Sequence, residues 1–175
     1  TTAEGADPKG EVKDEPWLKP DPAAMQRWQD MRFGMFIHWG PVSLTGHEIG
    51  WSRGSQTPIE KYDALYKEFN PVKFNADQWV AVAKAAGMKY MVLTTRHHEG
   101  FSLWDSKVNP YNVVAHAGGF DVVKEFVESC REFGLRTGFY FSLMDWHHPD
   151  GIRTRGHGPQ LREAVSQARL QACPR

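Results

Sequence analysis

The chain has 175 residues, enough for one ordinary domain with a sizeable core. Its 21 basic and 21 acidic residues cancel, which gives a nucleic acid or an anionic membrane nothing to hold, and no apolar run reaches the length of a membrane span. Two cysteines, Cys130 and Cys173, are too few for a disulfide framework and lack metal-ligand spacing, whereas seven Trp, five Tyr and ten Phe lean towards sugar rings, whose C–H faces stack on aromatic faces.

Residues 1–24 are rich in Pro, Gly and charge, with Trp17 as the only large apolar anchor, and read as an extended leader. The start at Thr1, without Met or a hydrophobic signal core, points to a mature form or a fragment. A short helix is expected over Met25 to Met31. Phe33-Gly-Met-Phe-Ile-His-Trp-Gly40 follows as a compact strand that ends in His38 and Trp39. A long loop from Pro41 to Gln56 carries His47, Glu48 and Trp51, and long loops at the active face of a fold are commonly functional. Pro58 to Phe69 reads as one helix, with Thr57 as its N-cap. A second helix, from Asn75 or Ala76 to Ala86, buries Trp79, Val80, Val82 and Ala83 and is closed by Gly87.

The chain is organised around what comes next. Tyr90 to Thr95 is an apolar, β-branched run that predicts a buried parallel strand, and Arg96-His-His-Glu-Gly-Phe101 then changes its character abruptly. Two histidines, both charge signs and aromatic residues at the carboxyl end of a parallel strand suit a ligand site. Phe120 to Phe133 is a helix with Asp121 near its start and Val122, Val123, Phe126, Val127 and Cys130 on its apolar face. Leu135 to Ser142 is a third strand, again ending in polar and aromatic cargo, Tyr140 and then Met144-Asp-Trp-His-His148. Three strands loaded at the same end, with helices between them, predict the opening βαβαβ of a barrel or a doubly wound sheet. From Gly151 the composition breaks: Arg153, Arg155, Arg162, Arg169 and Arg175 stand against a single acid, Glu163, with no aromatic and no lysine. Residues 151–175 are therefore expected to be a basic tail foreign to the preceding plan, the mark of a truncated or frameshifted end.

Phe33–Gly40, Lys89–Phe101 and Gly138-Phe-Tyr-Phe-Ser-Leu-Met-Asp-Trp146, in this order, resemble the N-terminal part of the family 29 glycoside hydrolases, the α-L-fucosidases. The resemblance covers roughly residues 25–150. It implies an α/β fold comprising the first three βα units of a TIM-type (β/α)8 barrel, truncated here, in an enzyme that removes terminal α-L-fucose with retention. It implies substrate-binding roles for His38, Trp51, His97, His98 and Tyr140, a fucosylated glycan as partner, no cofactor and no metal. A secreted, periplasmic or lysosomal setting goes with the family. Trp51 falls where the family carries a pocket aromatic after a Glu, but Gly50 precedes it here, with Glu48 two residues away.

Retaining glycosidases need a nucleophile and an acid/base, two carboxyl groups about 5–5.5 Å apart. In the family both arise later than the matched motifs, so Asp105, Asp145 and Asp150 inherit neither role, and no catalytic residue is expected in this chain. Two rival readings use the same residues: a metal-dependent hydrolase drawing on the histidines near strand ends, and a sugar-binding fragment without catalysis. Adjacent His97 and His98 argue against the metal, because neighbours on a strand point to opposite faces. Three strands of an eight-stranded barrel also predict an uncovered apolar surface formed by Phe36, Ile37, Val92, Leu93 and Phe139.

Overall fold

The computed structural model describes residues 19–148, so Trp17, Cys173 and the arginine-rich tail lie outside it. The described residues fall into two units, divided between Arg32 and Phe33. The first holds helix α1, Pro22–Met31, which begins earlier than Met25. The Asp21 carboxylate accepts from the backbone N–H groups of Ala23 and Ala24 at 3.0 and 3.2 Å, and Pro22 supplies a preset first helical residue.

The second unit is built on three strands, β1 Gly34–Ile37, β2 Tyr90–Arg96 and β3 Arg136–Phe141, all parallel and in the order β1-β2-β3. Helix α2, Ile59–Ala64, and helix α3, Ala76–Ala85, lie between β1 and β2; the short helix α4, Val113–His116, and helix α5, Val122–Phe133, lie between β2 and β3. The caps explain the boundaries. Asn75 and Asp121 accept from the third residue onward, Gln78 and Lys124, at 2.9 and 2.8 Å. Gly134, at φ 74°, ends α5 in the left-handed conformation.

Period-two alternation divides the sheet into two faces. On one face Met91 and Leu93 are fully buried in a core that includes Val80 and Ala83 of α3 and Phe126 and Cys130 of α5. On the other, the register aligns Gly34 with Tyr90 and Phe36 with Val92 and Gly138. A Cβ at Gly34 would stand 2.4 Å from the Tyr90 ring, so glycine is what allows that ring to lie across β1. Leu93, and Ile37 paired with it and packed against the same core, therefore belong to the covered, helix-packed face rather than to the uncovered surface expected. The uncovered apolar residues include Phe36, Phe139 and Phe141.

Several local expectations are corrected. The helix expected from Pro58 to Phe69 is two pieces, α2 followed by a 3-10 turn over Leu65–Lys67. Thr57 does not cap it; its hydroxyl instead meets His47 Nδ1 at 2.9 Å. Val82 is 63 % exposed because it falls off the Val80/Ala83 stripe of α3, whereas Ser129 joins Phe126 and Cys130 on the buried face of α5. Helix α4 was not visible as a helix in sequence; Asn112 makes it by accepting from the Ala115 N–H at 2.9 Å. Among the described residues, no helix is long and apolar enough to cross a membrane.

Candidate functional site

The carboxyl ends of the three strands meet in one aromatic and imidazole cluster. The His38 ring lies 5.6 Å from His97 and 5.7 Å from Tyr140, and His97 lies 5.7 Å from Tyr140 in a near-parallel stack. His98 stands 4.6 Å from His97 at 72°, and Trp51 leans on both histidines at 6.4 and 5.6 Å. All five residues expected from the sequence thus lie in one cluster. His97 is its floor, His98 and Tyr140 are half-buried, and His38 and Trp51 form an open rim.

A bulge explains how adjacent histidines reach one cluster. Thr94 pairs with Tyr140 and Arg96 with Phe141, so Thr95 is an extra residue on β2, its hydroxyl donating to the Tyr140 carbonyl at 3.0 Å. The extra residue inverts the alternation beyond it. Arg96 goes to the Phe141 side, 5.3 Å from that ring, and His97 comes back to the side of Thr94, whose hydroxyl meets His38 Nδ1 at 3.2 Å. Beyond Arg96 the strand has ended and His98 is free of the alternation.

The loops after β2 and β3 are laced together. Arg96 pairs with Asp145, whose Oδ1 accepts from the backbone N–H groups of His147 and His148 at 2.8 and 3.0 Å. The Trp146 backbone N–H donates to the His98 carbonyl at 2.7 Å, and the Trp146 ring stacks on His98 at 4.6 Å. His98 Nδ1 faces the Met144 carbonyl at 3.3 Å. A carbonyl only accepts, so a hydrogen bond here needs the proton on Nδ1, which in the neutral ring leaves Nε2 as the acceptor.

The loop after β1 is seated as firmly. Pro41–Leu44 forms a 3-10 turn, and Val42 and Ile49 pack with Tyr62 and Leu65 in a small second core. Arg53, itself buried, makes a two-pronged pair with Asp63 of α2 at 2.6 and 2.7 Å. The Gly50 N–H donates to the Tyr62 hydroxyl at 2.8 Å. Burial raises the Tyr62 phenol pKa and the nearby Glu99 carboxylate adds to the effect, so Tyr62 stays a neutral phenol. Gly50 has φ 69°, and a Cβ there would stand 2.3 Å from His97 Nδ1. This fit accounts for glycine in the position before Trp51.

Partial burial lowers the His38 pKa, with His97 acting in the same direction and the carboxylates of Glu48 and Glu99 opposing. Glu48 and His38 also border a common cavity of about 370 Å³ together with Val42, Ser43, His47 and Ile49. Among the described residues, no three His, Cys, Asp or Glu side chains gather so as to hold a metal ion. Two members of the cluster lie outside the residues expected from the sequence: Trp146, whose signal is present in the third sequence motif, and Gly50, which only contact geometry reveals; Glu99 belongs to the charged stretch after β2 that the sequence already marks.

A parallel α/β sheet with hydrogen-bonding rings and an aromatic rim at its carboxyl ends is the general form of a site for a polyhydroxylated ligand. The family model for alpha-L-fucosidases matches residues 3–164. The chain belongs to the alpha-L-fucosidase family of glycoside hydrolases. It is 37 % identical over 155 residues to the plasma alpha-L-fucosidase of Homo sapiens, a match covering 78 % of this chain and 33 % of that protein. To alpha-L-fucosidase 1 of Arabidopsis thaliana it is 37 % identical over 134 residues, covering 74 % and 24 %. Among solved structures, alpha-L-fucosidase isoenzyme 1 from Paenibacillus thiaminolyticus superposes with a TM-score of 0.73 at 38 % identity, covering 86 % of this chain and 35 % of that one. Alpha-L-fucosidase AlfC from Lactobacillus casei, solved in complex with alpha-L-fucose product, gives 0.65 at 39 % identity, covering 72 % and 43 %. The chain spans about a third of the length of the human relative and a quarter of that of the plant one.

Proposed function

We propose that this chain forms the first three βα units of a (β/α)8 barrel and supplies the fucose-binding wall of a retaining exo-α-L-fucosidase acting on fucosylated glycoconjugates. The observation that carries the reading is the meeting of His38, His97 and Tyr140, one from each strand end, with ring centroids 5.6 to 5.7 Å apart. A site of this kind selects a sugar by fixed donors and acceptors, since a wrong hydroxyl pattern leaves buried polar groups unpaired. Trp51, exposed at the rim, supplies apolar surface for C–H faces and for the methyl group of fucose, and the buried Trp146 ring backs His98. The alpha-L-fucose bound to the Lactobacillus casei relative supports this choice of sugar.

In this reading the nucleophile and the acid/base belong to later parts of the barrel, so the 175-residue chain binds fucose without hydrolysing it. Titration of the chain with L-fucose, with D-fucose as control, tests the binding. The imidazole resonances of His38, His97 and His98 are expected to move with L-fucose alone, at an affinity on the order of millimolar for a one-sided pocket. Equal responses to both enantiomers, or none, would sink the proposal. Turnover of an aryl α-L-fucoside by the purified chain would place a nucleophile within these residues.

A further inference from the structure

Glu99 is buried beside His97, and the hydrogen bonding described so far gives its carboxylate no role. It is 4 % exposed and His97 is 3 % exposed. Glu99 Oε2 and His97 Nδ1 face each other at 3.6 Å, and neither atom has a hydrogen-bond partner. An unprotonated Nδ1 would set a nitrogen lone pair against an anionic oxygen where little water screens the repulsion. A proton on Nδ1 turns the same juxtaposition into an attraction and meets the needs of both atoms. Gly50 closes the remaining side, as its missing Cβ would stand 2.3 Å from that nitrogen. The neighbouring His98 already shows the same arrangement, with its Nδ1 on the Met144 carbonyl.

We propose that Glu99 is a positioning residue that holds His97 as the Nδ1-protonated tautomer, so that Nε2 is an obligatory acceptor for a donating ligand hydroxyl. The identity of that hydroxyl as one of fucose rests on the proposed function; the tautomer does not. His97 and His98 then present two acceptor nitrogens side by side, an arrangement that selects adjacent ring positions able to donate.

Long-range proton–nitrogen correlation spectra of the histidine-labelled chain read the tautomer directly. At a pH where the ring is neutral, the wild type is expected to carry its proton on Nδ1. Glu99→Gln is expected to keep that tautomer, because the carboxamide oxygen still accepts, whereas Glu99→Leu releases the ring to the Nε2-protonated form. L-Fucose affinity should fall about tenfold in the leucine variant and less in the glutamine variant. A wild-type His97 protonated on Nε2, or a tautomer unchanged in Glu99→Leu, would overturn the proposal. A wild-type Nδ1 tautomer whose nitrogen resonances ignore L-fucose upholds the role of Glu99 and overturns the fucose reading instead.

Discussion

On the helix side of the sheet Met91 and Leu93 are fully buried among residues of α3 and α5, whereas on the opposite side Phe36 is 53 % exposed although it sits in the middle of β1. Local packing explains the covered side. Each βα unit returns a helix to the sheet it left, so the apolar stripe of α5 and the Val80/Ala83 stripe of α3 find their partners within the described residues. The other side has Tyr90 laid across Gly34 and Phe36 against His38 at 4.7 Å, and among the described residues Phe36 stays half exposed there. Stability therefore resides on one face, and the candidate chemistry resides at the rim of the other.

The largest expected effect separates those faces. Leu93→Ala should cost about 2–5 kcal/mol, because it removes a fully buried side chain from a packed core. Phe36→Ala, in the neighbouring row of the sheet, should cost only about 0.5 kcal/mol. Denaturant unfolding of the two variants measures both. Equal losses would mean that the Phe36 side is packed after all. In a longer chain that completes the proposed barrel, the Phe36 loss should grow towards that of a core aromatic.

A second substitution tests how far the site depends on the loop beside it. Gly50→Ala forces a left-handed backbone on an L-residue, costing about 1–2 kcal/mol, and drives a methyl group into His97. The His97 resonances should shift and L-fucose binding should weaken, whereas Gly46→Ala, also at positive φ but with open space around it, should bear only the backbone cost. Indistinguishable His97 spectra in the two variants would remove Gly50 from the site.

The strands, their parallel order and the five clustered rings were legible because each rests on strong local signals: β-branched runs, helix-closing glycines, and polar cargo at one end of every strand. The bulge at Thr95 was not legible. Nothing in Thr94-Thr95-Arg96 announces that one residue will be skipped, since a bulge is fixed by the register with β3 rather than by β2 alone. Without it, strict alternation would split His38 from His97, which is why adjacent histidines looked awkward in sequence. The place of Leu93 was misjudged for a related reason: a run apolar on both faces cannot say which face the helices will cover. A Thr-Pro pair suits a helix start, yet the nearby His47 ring offers the Thr57 hydroxyl another partner.

The smallest expected effect concerns charge at the open rim. His38 is lowered from the ordinary histidine pKa first by partial burial and then by His97, while the carboxylates of Glu48 and Glu99 pull it back up. A histidine lowered in the folded state binds fewer protons than it does unfolded, between its folded pKa and the ordinary value of 6.5. Its contribution to stability is therefore present above the ordinary value and is lost as pH falls through the folded one. The two neighbours should be separable by their signs. His97→Gln removes the imidazole that lowers His38 and should move the His38 titration upward, whereas Glu48→Gln removes a carboxylate that raises it and should move it further downward. Both changes are expected to be small, because His38 lies at the exposed rim, where water and salt screen its neighbours. Proton NMR titration of the His38 ring in the wild type and both variants reads them, and repetition at high salt should shrink both shifts. Shifts of the same sign in the two variants would show that ring displacement, rather than charge, governs this histidine.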